Sequence, residues 1–196
     1  FEQRLVFAGT TDEPQTLYFS KSGDYENMTT GTNADDAMVY TIASNQVNKI
    51  RYLKAVRTLL IGTTGGEFSV SADGTDAAVT PVNIQIRRQS SFGAANVDAQ
   101  PAGNAILFLQ RAKRKIRELA YNYDTDGYVP PDLCILNETI TKSGVNEMAY
   151  QQAPDSILWC VRDDGILSGL TYQRTDNVVA WHRHIVGGKS DTTKNI

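Results

Sequence analysis

The stretch Ile157–Gln173 reads ILWCVRDDGILSGLTYQ, two apolar runs separated by Asp163, Asp164 and Gly165. Asp and Gly are residues that tight hairpin turns select, and Gly supplies the positive φ that such turns need. A further apolar run, NVVAWHRH, follows at 177–184. The stretch therefore predicts an antiparallel hairpin with another strand beside it. It decides the fold because similar hairpins occur elsewhere in the chain.

Similar hairpins recur along the sequence at intervals of about fifty residues, beginning at Leu5, Leu59, Ile106 and Ile157. The hairpin at Leu59 turns at Thr64, Gly65 and Gly66, where glycine is again predicted to supply a positive φ. This period, with three or four strands per repeat, is typical of propeller blades. We therefore predict an all-β, β-propeller-like fold of about four blade-type antiparallel sheets, either an incomplete propeller cut from a larger protein or an irregular β domain. We predict a single domain over 1–188, with repeat units near 1–30, 47–72, 100–123 and 145–185. Residues 189–196 are predicted to form a flexible tail.

Two segments admit more than one interpretation. Gln110–Ala120 is rich in good helix formers, so a helix competes there with two strands. Strands are preferred, because a matching pair occurs in every repeat. The run SILWCVR, 156–162, is nearly all apolar, which predicts a strand covered on both faces with Trp159 in the core.

The composition excludes several classes of protein. Hydrophobic residues make up 41% of the 196 residues and charged residues 21%, which are ordinary proportions for a globular protein and exclude general disorder. The net charge of -3 lacks the basic excess of a dedicated nucleic-acid binder. No apolar run is long enough for a membrane-spanning helix, and the start, without Met, predicts a segment of a longer protein.

No catalytic motif or metal site is predicted. His182 and His184 are spaced to project from one face of a strand, as a metal pair would require. They lack a third ligand, since Cys134 and Cys160 have the wrong spacing and lie in apolar runs where Cys behaves as a small hydrophobe. We therefore predict a non-enzymatic chain with no cofactor, in which the two His residues occupy an outer strand.

The acidic residues are predicted to serve turns. The segment YDTDGYVPPD, residues 123–132, resembles the opening of a calcium loop but lacks the Glu that should close it. Asp163 and Asp164 sit at a hairpin tip, where exposed carboxylates keep ordinary pKa values that are unsuited to acid–base catalysis.

The strongest local charge lies in RAKRKIR, residues 111–117, predicted as the tip between two strands. One interpretation is a solvated hairpin end, and the other is a patch that contacts DNA phosphate or an acidic partner subunit. Arg87 and Arg88 would add to such a patch. The candidate DNA-contact or subunit-contact residues are Arg111, Lys113, Arg114, Lys115 and Arg117.

Several long phrases point to a family, among them RLVFAGTTDEPQTLYFSKSGDYENM, VNIQIRRQSSFG, RKIRELAYNYDTDGYVPPDL and MAYQQAPDSILWCVRDDGILSGLTYQR. They resemble the central region of tail nozzle proteins of short-tailed bacteriophages, the tail tubular protein B-like family, over about Arg4 to His184. The resemblance implies a virion structural protein with a propeller-like region, in a homo-oligomeric ring below the portal. Its implied partners are other tail and connector proteins and the DNA that passes non-specifically through the channel; its implied locations are the virion tail and, during assembly, the host bacterial cytoplasm.

An alternative is a carbohydrate-binding or glycan-degrading phage tail module. Such a module predicts an exposed cleft lined by Trp or Tyr, and an enzyme would need two carboxylates about 5 to 9.5 Å apart. Trp181 is the stacking candidate on this interpretation, since Trp159 is assigned to the core. Asp and Glu cluster in turns, which favours the structural interpretation.

Overall fold

The computed structural model describes residues 1–43, 47–73 and 77–186, and within these ranges the chain has fifteen strands and no helix. The strands form one sheet of three strands and three sheets of four, all antiparallel. Neighbouring strands in each sheet follow one another in the chain, as they do in a blade. The predicted all-β fold of about four blade-type antiparallel sheets is confirmed. The predicted flexible tail, 189–196, lies outside the described residues.

The chain divides into two compact units, and the first, Phe1–Ala94, contains two sheets. Its buried core draws on both sheets, with Leu17 and Phe19 from one and Ile61 and Val70 from the other. The strands of this unit are β1 Val6–Ala8, β2 Thr16–Phe19, β3 Met38–Thr41, β4 Ile50–Ala55, β5 Leu59–Thr63, β6 Gly66–Ala72 and β7 Ile84–Ser90.

The second unit, Ala95–Ile196, also contains two sheets around one core. Leu107 and Ile116 of one sheet and Leu158 and Leu170 of the other belong to the same buried cluster. That the chain forms a single domain over 1–188 stays a prediction. The strands are β8 Gln100–Ala102, β9 Ala105–Leu109, β10 Ile116–Asn122, β11 Gly127–Val129, β12 Val145–Gln151, β13 Ile157–Arg162, β14 Leu167–Gln173 and β15 Val178–His184.

The choice of strands over a helix in the Gln110–Ala120 region is confirmed. Strands β9 and β10 pair in antiparallel register, with Ile116 opposite Leu109 and Leu119 opposite Ile106. All five residues of β9 are buried, as expected of a strand that is covered on both faces. Burial of the strand residues therefore outweighs the helix propensity of the Gln110–Ala120 segment.

The two cysteines are buried free thiols in the core of the second unit, as their apolar surroundings predict. Burial raises the pKa of the Cys134 thiol and that of the Cys160 thiol. Both thiols are therefore protonated and unreactive at neutral pH.

A buried arginine fixes the loop between β2 and β3. Arg4 is only 5% exposed, and its guanidinium donates to backbone carbonyls on both sides of that loop. Nη1 lies 2.8 Å from the Ser20 carbonyl and 2.7 Å from the Asp36 carbonyl, and Nη2 lies 2.6 Å from the Ala34 carbonyl. Since the charged guanidinium makes strong hydrogen bonds to both sides of the loop, and the bond to Ser20 is buried, the Arg4 side chain holds this segment in place.

Glycines at two hairpins serve different purposes. Gly165 in the β13–β14 turn has a φ of +79, so the positive-φ prediction is correct there. The same prediction is wrong for Gly65 and Gly66 in the β5–β6 turn, neither of which has a positive φ. Space is the reason for glycine at these positions, since a Cβ on Gly66 would come closer than 3.0 Å to the Ser90 carbonyl.

Strand β5 contains a glycine that is covered by an aromatic ring. Gly62 lies opposite Tyr52 of β4, and a Cβ on Gly62 would meet ring atoms of Tyr52 at less than 3.0 Å. Tyr52 is 4% exposed, so the ring has little room to move. The ring therefore packs directly on the glycine backbone.

Candidate functional site

The basic tip, defined as residues 110–115, connects β9 to β10 as predicted, but the prediction is wrong for Arg117, which lies within β10 opposite Phe108. The Gln110 N–H donates to the Lys115 carbonyl, and the Lys113 N–H donates to the Gln110 carbonyl, each at 2.8 Å. Lys113 closes the turn with a φ of +61, an uncommon value for a residue with a side chain. The tip is thus a tight, hydrogen-bonded turn.

Neighbouring segments hold the backbone of the basic tip from outside. The Val145 N–H donates to the Lys113 carbonyl at 2.9 Å, and the Thr141 hydroxyl donates to the Arg114 carbonyl at 2.5 Å. These hydrogen bonds fix the main chain at the base of the exposed side chains. The tip therefore presents its cations from a defined position.

Three of the five candidate cations are exposed to solvent, namely Arg111, Lys113 and Arg114. The Lys113 ammonium also donates to the Asn146 side chain at 3.2 Å. Their closeness on one turn concentrates positive charge in a chain whose net charge is negative. This cluster can attract phosphate or carboxylate groups.

The other two candidates, Lys115 and Arg117, are half-buried. Lys115 Nζ lies 2.6 Å from Asp132 and 3.3 Å from Glu138. Arg117 donates to the Gln110 side chain at 2.9 Å and to the Pro130 carbonyl at 2.8 Å. Lys115 and Arg117 therefore fasten the tip to the segment 130–138.

The ionisation of the Lys115–Asp132 pair reflects this contact. Hydrogen bonds from the ammonium to Asp132 and Glu138 raise the pKa of Lys115. Partial burial on its own would raise the pKa of Asp132, but the hydrogen bonds from Lys115 and the Cys134 N–H lower it below the ordinary value. Both groups are charged at neutral pH.

Arg87 and Arg88 lie on β7 in the first unit and bond locally. Arg87 donates to the Gln85 side chain at 2.6 Å, and Arg88 donates to the Gly65 carbonyl at 2.8 Å. That they extend the basic patch stays a prediction.

The two tryptophans are placed opposite to the sequence prediction. Trp181 packs against the buried core and donates to the Leu133 carbonyl at 2.8 Å, so it is not the exposed stacking residue. Trp159 lies opposite Gly169, which in turn lies opposite His182, on the other face of the sheet. The prediction that β13 is covered on both faces is also wrong, since Val161 on this face is 42% exposed.

A cluster of rings occupies this outer face. The Trp159 ring meets the rings of His182 and His184 edge-on, at centroid distances of 5.8 and 5.1 Å. His182 Nδ1 lies 2.6 Å from His184 Nε2, which requires an N–H on one ring and a lone pair on the other. The prediction that both His residues project from one face of an outer strand is confirmed, because β15 is the edge strand of its sheet.

The charge of His182 is expected to depend on His184. Burial lowers the pKa of His182, and His184 lowers it further. Folding therefore favours the neutral form of His182. The stability that this preference contributes is fully present above the unfolded pKa of about 6.5, and it is lost as the pH falls through the folded pKa. An NMR titration of the His182 ring should give a midpoint below about 6.5.

The His184→Asn variant should move that midpoint upward while leaving it below the unfolded value, because burial remains. A midpoint at or above the unfolded value in the unsubstituted protein would contradict this expectation.

The predicted acidic turns are turns in the structure. Asp164 pairs with Arg162 and accepts the Ile166 N–H at 3.3 Å within the β13–β14 hairpin. Asp126, with a φ of +46, accepts the Tyr121 hydroxyl at 2.5 Å in the β10–β11 turn. Within the described part of the chain, no three His, Cys, Asp or Glu side chains are grouped so as to hold a metal ion.

A search of the described residues for a helix long and apolar enough to cross a membrane finds none. A comparison with protein-family models gives no match, and a comparison with curated proteins also gives none. Among solved structures, the chain is similar to an auxiliary nutrient binding protein from Bacteroides thetaiotaomicron VPI-5482, with a TM-score of 0.49 and 13% identity. The match covers 97% of this chain and 40% of that protein.

Proposed function

We propose that this chain is a non-enzymatic structural segment of the tail nozzle of a short-tailed bacteriophage, which forms part of the conduit for DNA. The observation that carries the proposal is the resemblance over about Arg4 to His184. Its phrases coincide with whole structural pieces: the first spans β1 and β2, and the last spans most of β12 together with β13 and β14. A chain of repeated sheets with an exposed basic tip supports a role that depends on surfaces.

The proposal includes partners and location. The full-length protein assembles as a homo-oligomeric ring with other tail and connector proteins, in the host cytoplasm and then in the virion tail. DNA passes through the ring without sequence-specific contacts. Electron cryo-microscopy of the full-length assembly tests this directly: a ring below the portal is expected, and a monomeric protein that specifically binds or cleaves glycan would contradict it.

Within this proposal, the basic tip contacts DNA or a neighbouring subunit. We assign these contacts to the three exposed cations, because Lys115 and Arg117 are half-buried and fasten the tip to other segments of the chain. A triple Arg111→Ser, Lys113→Ser and Arg114→Ser variant should weaken non-specific DNA binding. The slope of log affinity against log salt should fall by about 0.9 for each duplex phosphate that the tip no longer neutralises.

A charge-matched control removes three exposed cations elsewhere, at Lys49, Arg57 and Arg183. It should change the salt slope less than the tip variant does. In the full-length protein, the tip variant should also impair ring assembly, genome retention or DNA ejection. Unchanged DNA affinity together with unchanged assembly, retention and ejection would reduce the tip to a solvated hairpin end.

The glycan-binding alternative has one observation in its favour. Trp159 shares an outer sheet face with two His rings, and its N–H is held by the Gln151 side chain at 2.9 Å. An aromatic ring bordered by polar groups is a common contact for sugars. The structural role remains the preferred proposal, because the sequence resemblance covers nearly the whole chain.

A further inference from the structure

The outer edge of β3 presents backbone groups to solvent. Strand β3 is bonded on one side to β2, and no described strand lies on its other side. The Ile42 N–H donates to the Gln15 carbonyl, which fixes the alternation along the antiparallel pair. Met38 and Tyr40 therefore direct their N–H and C=O groups toward β2, whereas Val39 and Thr41 direct theirs away from the sheet.

The adjoining loop covers only the beginning of this edge. Thr30 bridges to Ala37, and the Gly31 N–H donates to the Ala37 carbonyl at 3.4 Å. The next two outward-directed residues, Val39 and Thr41, are exposed to solvent, and the Val39 exposure is 47%. Two donors and two acceptors of the main chain are thus available side by side.

Strand β3 also lacks the devices that protect the last strands of the other three sheets. Charged side chains, prolines and bulges discourage pairing at sheet edges. Strand β7 carries Arg87 and Arg88 and a register shift, β11 is followed by Pro130 and Pro131, and β15 carries Arg183 between two His residues. The sequence of β3, MVYT, contains none of these.

The edge is complementary to itself. In an antiparallel pair of two β3 strands centred on Tyr40, Val39 of each copy lies opposite Thr41 of the other. Both residues direct their backbone groups outward, so each such pair exchanges two hydrogen bonds, and the two pairs exchange four. Tyr40 faces Tyr40 of the second copy at the non-hydrogen-bonded centre, and no side chain of β3 carries a charge that would oppose the pairing.

We propose that β3 pairs edge to edge with β3 of a second copy of this chain, joining two three-stranded sheets into one of six strands. A second copy fits because it presents the same outward groups in the required register and the same uncharged side chains. The interface is small, so the dimer is weak, as expected for an interface well below standard size. This interaction is separate from the proposed tail function and does not depend on it.

Sedimentation equilibrium of the whole chain over a wide concentration range measures the dimer. Val39→Lys places a charge at the edge. Thr41→Pro removes an outward N–H and the side-chain hydrogen bond from Thr41 to Thr16, but it removes no main-chain bond to β2. Each variant should weaken dimerisation at least tenfold. Phe7→Lys is the matched control, because Phe7 shares the outer sheet face with Val39 but belongs to β1, and it should leave the dimer unchanged.

Disulfide cross-linking tests the register. Tyr40→Cys brings two thiols together at a non-hydrogen-bonded pair, where Cα atoms are about 4.5 Å apart and a disulfide can form. Oxidation should cross-link this variant much faster than Tyr25→Cys, a similarly exposed loop position, since the native cysteines are buried. A protein that stays monomeric at all concentrations overturns the proposal, as does a dimer that Phe7→Lys disrupts and Val39→Lys spares. Equal cross-linking rates for the two cysteine variants would also overturn it.

Discussion

Replacing Arg4 with Met is expected to lower the free energy of unfolding of the first unit by about 3 kcal/mol or more. The substitution keeps much of the apolar volume but removes the guanidinium that serves the carbonyls of Ser20, Ala34 and Asp36. Hydrogen bonds to a charged group contribute about 1.5–3 kcal/mol each, and the Ser20 carbonyl, whose bond to Arg4 is buried, would lose its partner at a further cost. The loop before β3 should loosen first.

The measurement must report on the first unit alone. Both tryptophans belong to the second unit, so their fluorescence is unsuitable. Hydrogen exchange of backbone amides in β5 and β6 gives the free energy of opening of the first core. Arg87→Met, an exposed Arg of the same unit, is the control and should change stability by no more than about 0.5 kcal/mol. A loss below about 1 kcal/mol for Arg4→Met would contradict the anchoring role.

Replacing Gly62 with Ala is expected to destabilise the first unit by about 2–3 kcal/mol, although the change adds a single methyl group. That methyl would overlap the Tyr52 ring, which is buried and covers Gly62 from the neighbouring strand. The ring has to move within a close-packed core, and close-packed interiors resist such displacement. The same hydrogen-exchange measurement on β5 and β6 reports the loss.

Gly169→Ala is the matched comparison in the second unit. Its added methyl would also overlap a ring, that of His182, but this ring is half-buried and can rotate toward solvent. We expect the free energy of unfolding to fall by less than about 1 kcal/mol, as measured by tryptophan fluorescence. The NMR signals of the His182 ring should shift. Equal losses for the two glycine substitutions would show that ring burial does not decide the cost.

The fold could be predicted from the sequence to the level of its sheets, because strand patterns and turn residues are local properties. Hairpins such as β13–β14 have their turns and apolar runs adjacent in the chain, and the preference for strands at β9 and β10 rests on the repeat. The role of the glycines at the β5–β6 turn could not be predicted, since the reason for Gly66 is the carbonyl of Ser90, which is distant in sequence. Close approaches of that kind depend on the assembled sheet.

The candidate site was predictable in position but not in the role of each side chain. The basic tip follows from its sequence, whereas the partners that occupy Lys115 and Arg117 come from segments that the fold brings alongside. For the tryptophans, the sequence shows that Trp159 points to the opposite sheet face from its neighbours Leu158 and Cys160. The register then aligns Trp159 with Gly169 of β14 and, one strand further, with His182 of β15. Which face is buried is decided by the neighbouring sheet, and an all-apolar strand does not reveal it.

The placement of all first-core residues before Ala94 bears on synthesis of the chain on the ribosome. Every member of that buried cluster has been translated before the first residue of the second cluster is added. Domains generally fold as units in the order in which they are made. The first unit of a growing chain can therefore bury its apolar strands early. This shortens the time during which those strands are exposed to other nascent chains on the same messenger RNA.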